Sequence, residues 1–244
     1  MEGKKSILII NPNTSQGMTE ALKPLVNGPG LDKTHFEYFT APSGVPSINN
    51  EHDAALSSQA CLPSLEPLLH NHDAFLICCY SQHPLVSQLR TRLHATGQTQ
   101  GIVTGILEAS ISTCLQLLNP HEKFGIVSTG AQWSDILDSA MANLLGVRGS
   151  SRYAGTETTG LNANELHATA KEEVERRMKG AAKRVLGKGA KAICLGCAGM
   201  SGMDRTVREA CMEVLGVEEG ARIRIVDGVV AGALFLDGAL RAQM

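Results

Sequence analysis

Neither sign of charge dominates this 244-residue chain: 22 lysines and arginines stand against 24 aspartates and glutamates, and the isoelectric point is near 6.4. Without a basic field to meet phosphate backbones, nucleic acid is not an expected partner. Long apolar runs are missing too. The first, Ile7 to Ile10, is cut off by Asn11-Pro12-Asn13, too short for the core of a secretion signal, and no other run approaches membrane-spanning length. No membrane partner is expected, and the cytoplasm is the expected location. Thiols stay reduced there, so the seven cysteines need no pairing, and their odd number argues against a disulfide framework. Neither G-x-G-x-x-G nor Gly-Lys followed by Ser or Thr occurs, so no nucleotide cofactor is implied. Cys194-Leu195-Gly196-Cys197 is a C-x-x-C without a second such pair, and Cys194 lies inside a strand pattern rather than at a helix start. No metal site or redox pair is therefore expected.

What is present is enough apolar material, 43% of residues, for one large core or two modest ones. Short apolar runs alternate with longer helical patterns, as in parallel-sheet α/β proteins. Strands are expected at 6–10, 35–39, 74–79, 101–104, 124–128, 149–153, 192–195 and 222–226. Helices are expected at 16–26, 51–70, 84–95, 131–145, 164–186 and 204–215. The second half echoes the first. Ser6-Ile-Leu-Ile-Ile-Asn11 answers Phe124-Gly-Ile-Val-Ser-Thr129, and Ala74-Phe-Leu-Ile-Cys-Cys79 answers Ala192-Ile-Cys-Leu-Gly-Cys197. A third echo pairs Ile102-Val-Thr-Gly105 with Ile225-Val-Asp-Gly228. The expected fold is thus two pseudo-symmetric Rossmann-like α/β domains, each a mostly parallel four-stranded sheet flanked by helices. The first would comprise about residues 1–102 plus 222–244 and the second about 103–221, with approximate boundaries and the active site in the cleft between them, where strand-to-helix turns meet.

Two of those turns carry thiols. Cys79 ends one apolar strand ahead of Tyr80-Ser81-Gln82-His83-Pro84, where the proline suits a first helical turn. Cys197 ends the matching strand ahead of Ala198-Gly199-Met200. Backbone N–H groups at a helix start favour thiolate, so lowered pKa values are expected. The blander alternative is a cysteine acting as a small core hydrophobe. His83 admits a Cys–His hydrolase, against the simpler reading of a solvated loop residue. Asn11-Pro12-Asn13-Thr14-Ser15 and Ser128-Thr129-Gly130 occupy echoing turns, and each either caps a helix or offers donors to a ligand. Residues 43–48 form a Pro/Gly loop, and 150–162 reads as a loop without evident chemistry. Residues 171–188 read as a solvated helix face.

Ile9-Ile10-Asn11-Pro12-Asn13-Thr14-Ser15, Cys79 at its strand end, Val127-Ser128-Thr129-Gly130 and Leu195-Gly196-Cys197-Ala198-Gly199-Met200 together resemble the hydantoin/allantoin racemase branch of the Asp/Glu racemase superfamily. The resemblance implies a cofactor-independent racemase with Cys79 and Cys197 as catalytic acid and base. It also implies a cyclic-ureide substrate and a homo-oligomer. Asn13, Ser81, Thr129, Ala198 and Gly199 are the expected substrate contacts. The first turn departs from the common bacterial form, Cys-aromatic-Gly-Asp-Pro, by being one residue longer and lacking the aspartate, which bears on substrate choice. Other enzymes of the same fold remain open: an amino-acid racemase, a maleate-isomerase-like enzyme or a decarboxylase. So does a non-catalytic binding protein.

Overall fold

The computed structural model describes residues 4–27, 30–98 and 100–244. They form two compact units, one of residues up to Ala109 together with Val229–Met244, the other of Ser110–Gly228.

The first unit contains β1 (Lys5–Asn11), α1 (Gln16–Val26), β2 (Thr34–Thr40), α2 (Glu51–Leu65) with a 3₁₀ turn at Glu66–Asn71, β3 (Ala74–Ile77), α3 (Pro84–Ala95) and β4 (Ile102–Gly105). Its strands are parallel in the order β2-β1-β3-β4. Ile7 to Ile10 of β1 and all of β3 are buried, as an unbroken apolar run requires when helices cover both faces of a sheet. Ser15 caps α1 by accepting from the Met18 N–H, and Asn50 caps α2 through the Asp53 N–H. The chain leaves this unit within α4 (Ile106–Leu117).

The second unit continues with β5 (Lys123–Ser128), α5 (Trp133–Leu145), β6 (Tyr153–Thr158), the short α6 (Glu165–Ala168), α7 (Lys171–Gly187), β7 (Ala190–Gly196), α8 (Asp204–Leu215), α9 (Val217–Arg222) and β8 (Arg224–Asp227). Its parallel order, β6-β5-β7-β8, repeats that of the first unit strand for strand. The three sequence echoes fall on β1 with β5, β3 with β7 and β4 with β8. Val174, Met178, Ala181, Ala182 and Val185 of α7 pack a buried stripe against Ile193 and Leu195, and the opposite side carries the expected charged face.

The chain returns to the first unit through α10 (Gly228–Ala242). There Gly232 lies so close to β3 that a β-carbon would stand 2.4 Å from a Leu76 methyl. A larger side chain there requires the Leu76 side chain or the helix to shift.

Several expectations shift. Both β4 and β8 belong to the unit whose sheet they complete, because β4 pairs with β3 and β8 with β7. The expected division puts 103–105 and 222–228 on the other side. The strand expected at 149–153 forms at Tyr153–Thr158, inside a stretch that reads as loop, where hydrogen bonds to β5 outweigh a Gly/Thr-rich composition. The helix expected across 164–186 is interrupted at Ala170, which takes φ −54° and ψ 136°. The 74–79 strand ends at Ile77, though the Cys78 N–H still reaches the Ile10 carbonyl at 2.8 Å.

Candidate active site

In the first unit the chemistry gathers at the carboxyl ends of β1, β3 and β4. After β1, the Asn13 side-chain oxygen accepts from Asn11 Nδ2 at 3.1 Å and from the Ser15 N–H at 2.9 Å, while its Nδ2 donates to the Met18 sulfur at 3.3 Å. Sulfur is a weak acceptor, so that amide is the group of the loop most readily lent to a ligand. The 43–48 loop is fastened here, with the Val45 carbonyl accepting from the Thr14 N–H at 3.0 Å.

After β3, Cys79 is half-buried, and its Sγ lies 3.4 Å from Ser81 Oγ. The Ser81 N–H donates to the Cys79 carbonyl at 3.0 Å, so the hydroxyl of Ser81 is the group that faces the sulfur. His83 is 2% exposed, which overturns its reading as a solvated loop residue. It caps α3, with Nδ1 accepting from the Leu85 N–H at 3.3 Å. Burial pushes its pKa down to about 4, leaving it neutral.

After β4, Glu108 in the first turn of α4 lies over Gly105, where a β-carbon would meet its carboxylate at 2.4 Å. Its Oε2 is buried without a hydrogen-bond partner among the described residues, and burial raises its pKa. Sequence reading misses this residue. The available signal is an acidic side chain three residues past the Thr104-Gly105 strand end, in an otherwise apolar helix.

In the second unit the corresponding ends belong to β5, β7 and β8. Ser128 donates from Oγ to the Gly196 carbonyl at 3.0 Å. Thr129 is buried, and its carbonyl accepts from the Gly160 N–H at 3.0 Å and from the Thr159 hydroxyl at 3.3 Å. Gln132 and Asn162, joined at 3.2 Å, bring two carboxamides over Gly130; neither is expected from the sequence. Asp227 ends β8 in register with Leu195 of β7.

Cys197 is half-buried and opens a three-residue 3₁₀ turn, Ala198–Met200, with its sulfur accepting from the Gly199 N–H at 3.3 Å. The expected lowering of its pKa is reversed. Burial pushes the thiol up to about 11, and the Gly199 and Met200 N–H groups offset only part of that rise. The physical reason is the shortness of the turn: α8 begins only at Asp204, so no full helix dipole points at the sulfur. Ala198 and Gly199, expected as substrate contacts, directly follow the thiol, and the Gly199 N–H is engaged by the sulfur itself.

The seven cysteines form no disulfide. Among the described residues no group of three or more His, Cys, Asp or Glu side chains is arranged to hold a metal ion, and no helix is long and apolar enough to cross a membrane.

Comparison with known proteins agrees with this arrangement. The chain is 24% identical to allantoin racemase from Klebsiella pneumoniae, with a TM-score of 0.79 over 98% of this chain and 89% of that one. It is 25% identical to a hydantoin racemase of Pseudomonas sp., covering 95% of this chain and 84% of that protein. It is 33% identical to an uncharacterized protein of Schizosaccharomyces pombe, covering 98% and 93%. Two parallel-sheet units of one strand order are the fold class that this chain shares with these racemases. The family model for Asp/Glu/hydantoin racemases matches residues 7–236. The chain belongs to that family.

Proposed function

We propose that the protein inverts the C5 stereocentre of a hydantoin-type ring, either a 5-substituted hydantoin or allantoin, with Cys79 and Cys197 as acid and base and without a cofactor. One observation carries this reading: each unit presents a half-buried cysteine after the corresponding third strand of the same sheet order. Inversion requires a proton to leave one face of a planarised carbon and another to arrive on the opposite face. Two like groups, one from each unit, meet that need.

In one direction the Cys79 thiolate takes the C5 proton, and the C–H electron pair delocalises onto the adjacent ring carbonyl as an enolate. The Cys197 thiol, protonated because burial holds its pKa near 11, returns a proton to the other face. The cycle leaves Cys79 as thiol and Cys197 as thiolate, the state that processes the opposite enantiomer. Donors are needed where the enolate oxygen develops; the Asn13 amide and the Thr129 and Ser81 hydroxyls are the proposed ones, with the Ala198–Gly199 backbone beside the second sulfur. The buried Glu108 carboxyl is suited to accept from a ring N–H, a feature of cyclic ureides that free amino acids lack.

The test is incubation of the purified protein with single enantiomers of allantoin, of 5-substituted hydantoins, and of aspartate and glutamate, following optical rotation. Loss of rotation confined to ring substrates, with deuterium entering C5 from heavy water, is expected. Racemisation of the amino acids alone would refute the substrate assignment.

A further inference from the structure

The turn that follows Cys79 is closed by a buried histidine. His83 Nδ1 accepts from the Leu85 N–H, so in the neutral ring the hydrogen sits on Nε2. That nitrogen faces Ser57 Oγ of α2 at 3.3 Å, and the Ser57 hydroxyl donates to the Pro12 carbonyl. The Cys61 thiol approaches the same carbonyl at 3.7 Å. Ser57 is fully buried. The His83 backbone N–H donates to the Ser81 carbonyl at 2.8 Å, and Ser81 is the residue whose hydroxyl faces the Cys79 sulfur.

From this geometry we propose that His83 is a positioning residue that acts through Ser57, locking the 11–15 loop to the Cys79–His83 turn so that Asn13 and Cys79 meet one substrate in fixed register. The hydrogen bonds run in one sense, from Leu85 N–H into the imidazole, from the imidazole to Ser57, and from Ser57 to Pro12. Every donor has one acceptor, and reversing any link would leave a buried group unpaired. A ring whose burial holds its pKa near 4 does not change charge between pH 6 and 8, which suits a strut rather than a proton carrier. A side chain of the turn thereby spans to a second helix. The proposal rests on the racemase reading for its kinetic consequence but not for its structural one.

Three variants of the full chain separate the links. His83→Asn keeps an oxygen near the Nδ1 position to cap α3 but is too short to reach Ser57. His83→Gln keeps a long amide donor toward Ser57. Ser57→Ala removes the shared hydroxyl. Hydrogen–deuterium exchange of the 11–15 segment is read without substrate, alongside the thermal midpoint and, with the ring substrate, KM and kcat. His83→Asn and Ser57→Ala are each expected to speed exchange at 11–15 about tenfold, the worth of one buried hydrogen bond. KM should rise by a similar factor, with kcat changing less. The double variant should match either single one, and His83→Gln should recover most of the loss. Unchanged exchange in both His83→Asn and Ser57→Ala would overturn the proposal, as would additive effects in the double variant. If the wild type inverts no ring compound, the racemase reading fails while the exchange data still decide the role of His83.

Discussion

Ser128 Oγ donates to the Gly196 carbonyl at 3.0 Å, fastening the end of β5 to β7 one residue before Cys197. The approach is close: a β-carbon on Gly196 would lie 2.7 Å from an Ile126 methyl and 2.8 Å from the Val127 carbonyl oxygen. Gly196→Ala is therefore expected to push β7 away from β5. Thermal melts should show a loss of about 1–3 kcal/mol, and racemisation should fall by more than the unfolded fraction explains. A variant as stable and as active as wild type would show that the Cys197 strand tolerates displacement.

The thiols give the most direct expectation. Cys79→Ser and Cys197→Ser should each cut racemisation about a thousandfold, within the range for losing a positioned acid or base, with circular dichroism unchanged. If both variants keep full activity, neither sulfur handles the proton.

Alkylation should separate the cysteines by surroundings. Cys79 and Cys197 are half-buried, whereas Cys61, Cys78, Cys114, Cys194 and Cys211 are buried. Iodoacetamide followed by peptide mapping should mark only the first two in the native protein. Because only thiolate reacts and burial holds Cys197 near 11, its labelling rate should rise about tenfold per pH unit through pH 8 to 10.

Glu108→Gln should lower kcat/KM for a ring substrate about ten- to a hundredfold, the range for a lost charge-assisted hydrogen bond. Stability should hold or improve, since the substitution removes a buried ionisable group. A destabilised variant with unaltered kinetics would assign the carboxyl to the fold instead.

Stability should also fall at alkaline pH. Burial pushes Cys61, Cys197 and Cys211 up to about 11, whereas an unfolded thiol titrates at about 8.5. Below that value both states hold the proton. Between it and pH 11 the unfolded chain binds fewer protons, so unfolding becomes progressively easier. Urea titrations at pH 8 and 10 should show the drop, and Cys211→Ala should make it shallower.

Much of the architecture is legible in the sequence. Helices 16–26, 84–95 and 204–215 form with the expected bounds, because a capping serine, a proline in the first turn and an amphipathic repeat act locally. Both cysteines stand at strand ends because the apolar runs that precede them are unambiguous. Ile106–Leu117 and Gly228–Ala242 escape a sequence reading; their residues are apolar on nearly every side, so no 3.6-residue stripe marks them. The position of β6 escapes it because pairing with β5, not composition, creates the strand. The pKa of Cys197 is equally hidden, since sequence does not distinguish a three-residue turn from a helix start. Nor does it reveal that a histidine preceding proline is buried, when its cover is a serine 26 positions earlier.

The chain enters the second unit inside α4 and leaves it as α10 begins, so residues 110–228 are one uninterrupted stretch of sequence between the two segments of the first unit. During synthesis the second unit can complete its sheet while the first still waits for its closing helix. α10 supplies Gly232 against Leu76, and it anchors β2 through Asp237, which meets Thr34 and is held by Arg241 at 2.8 Å. Strand β2, far ahead of α10 in the sequence, is thus among the last to be sealed. A released chain ending at residue 228 should keep a protease-resistant second unit beside a protease-sensitive first one.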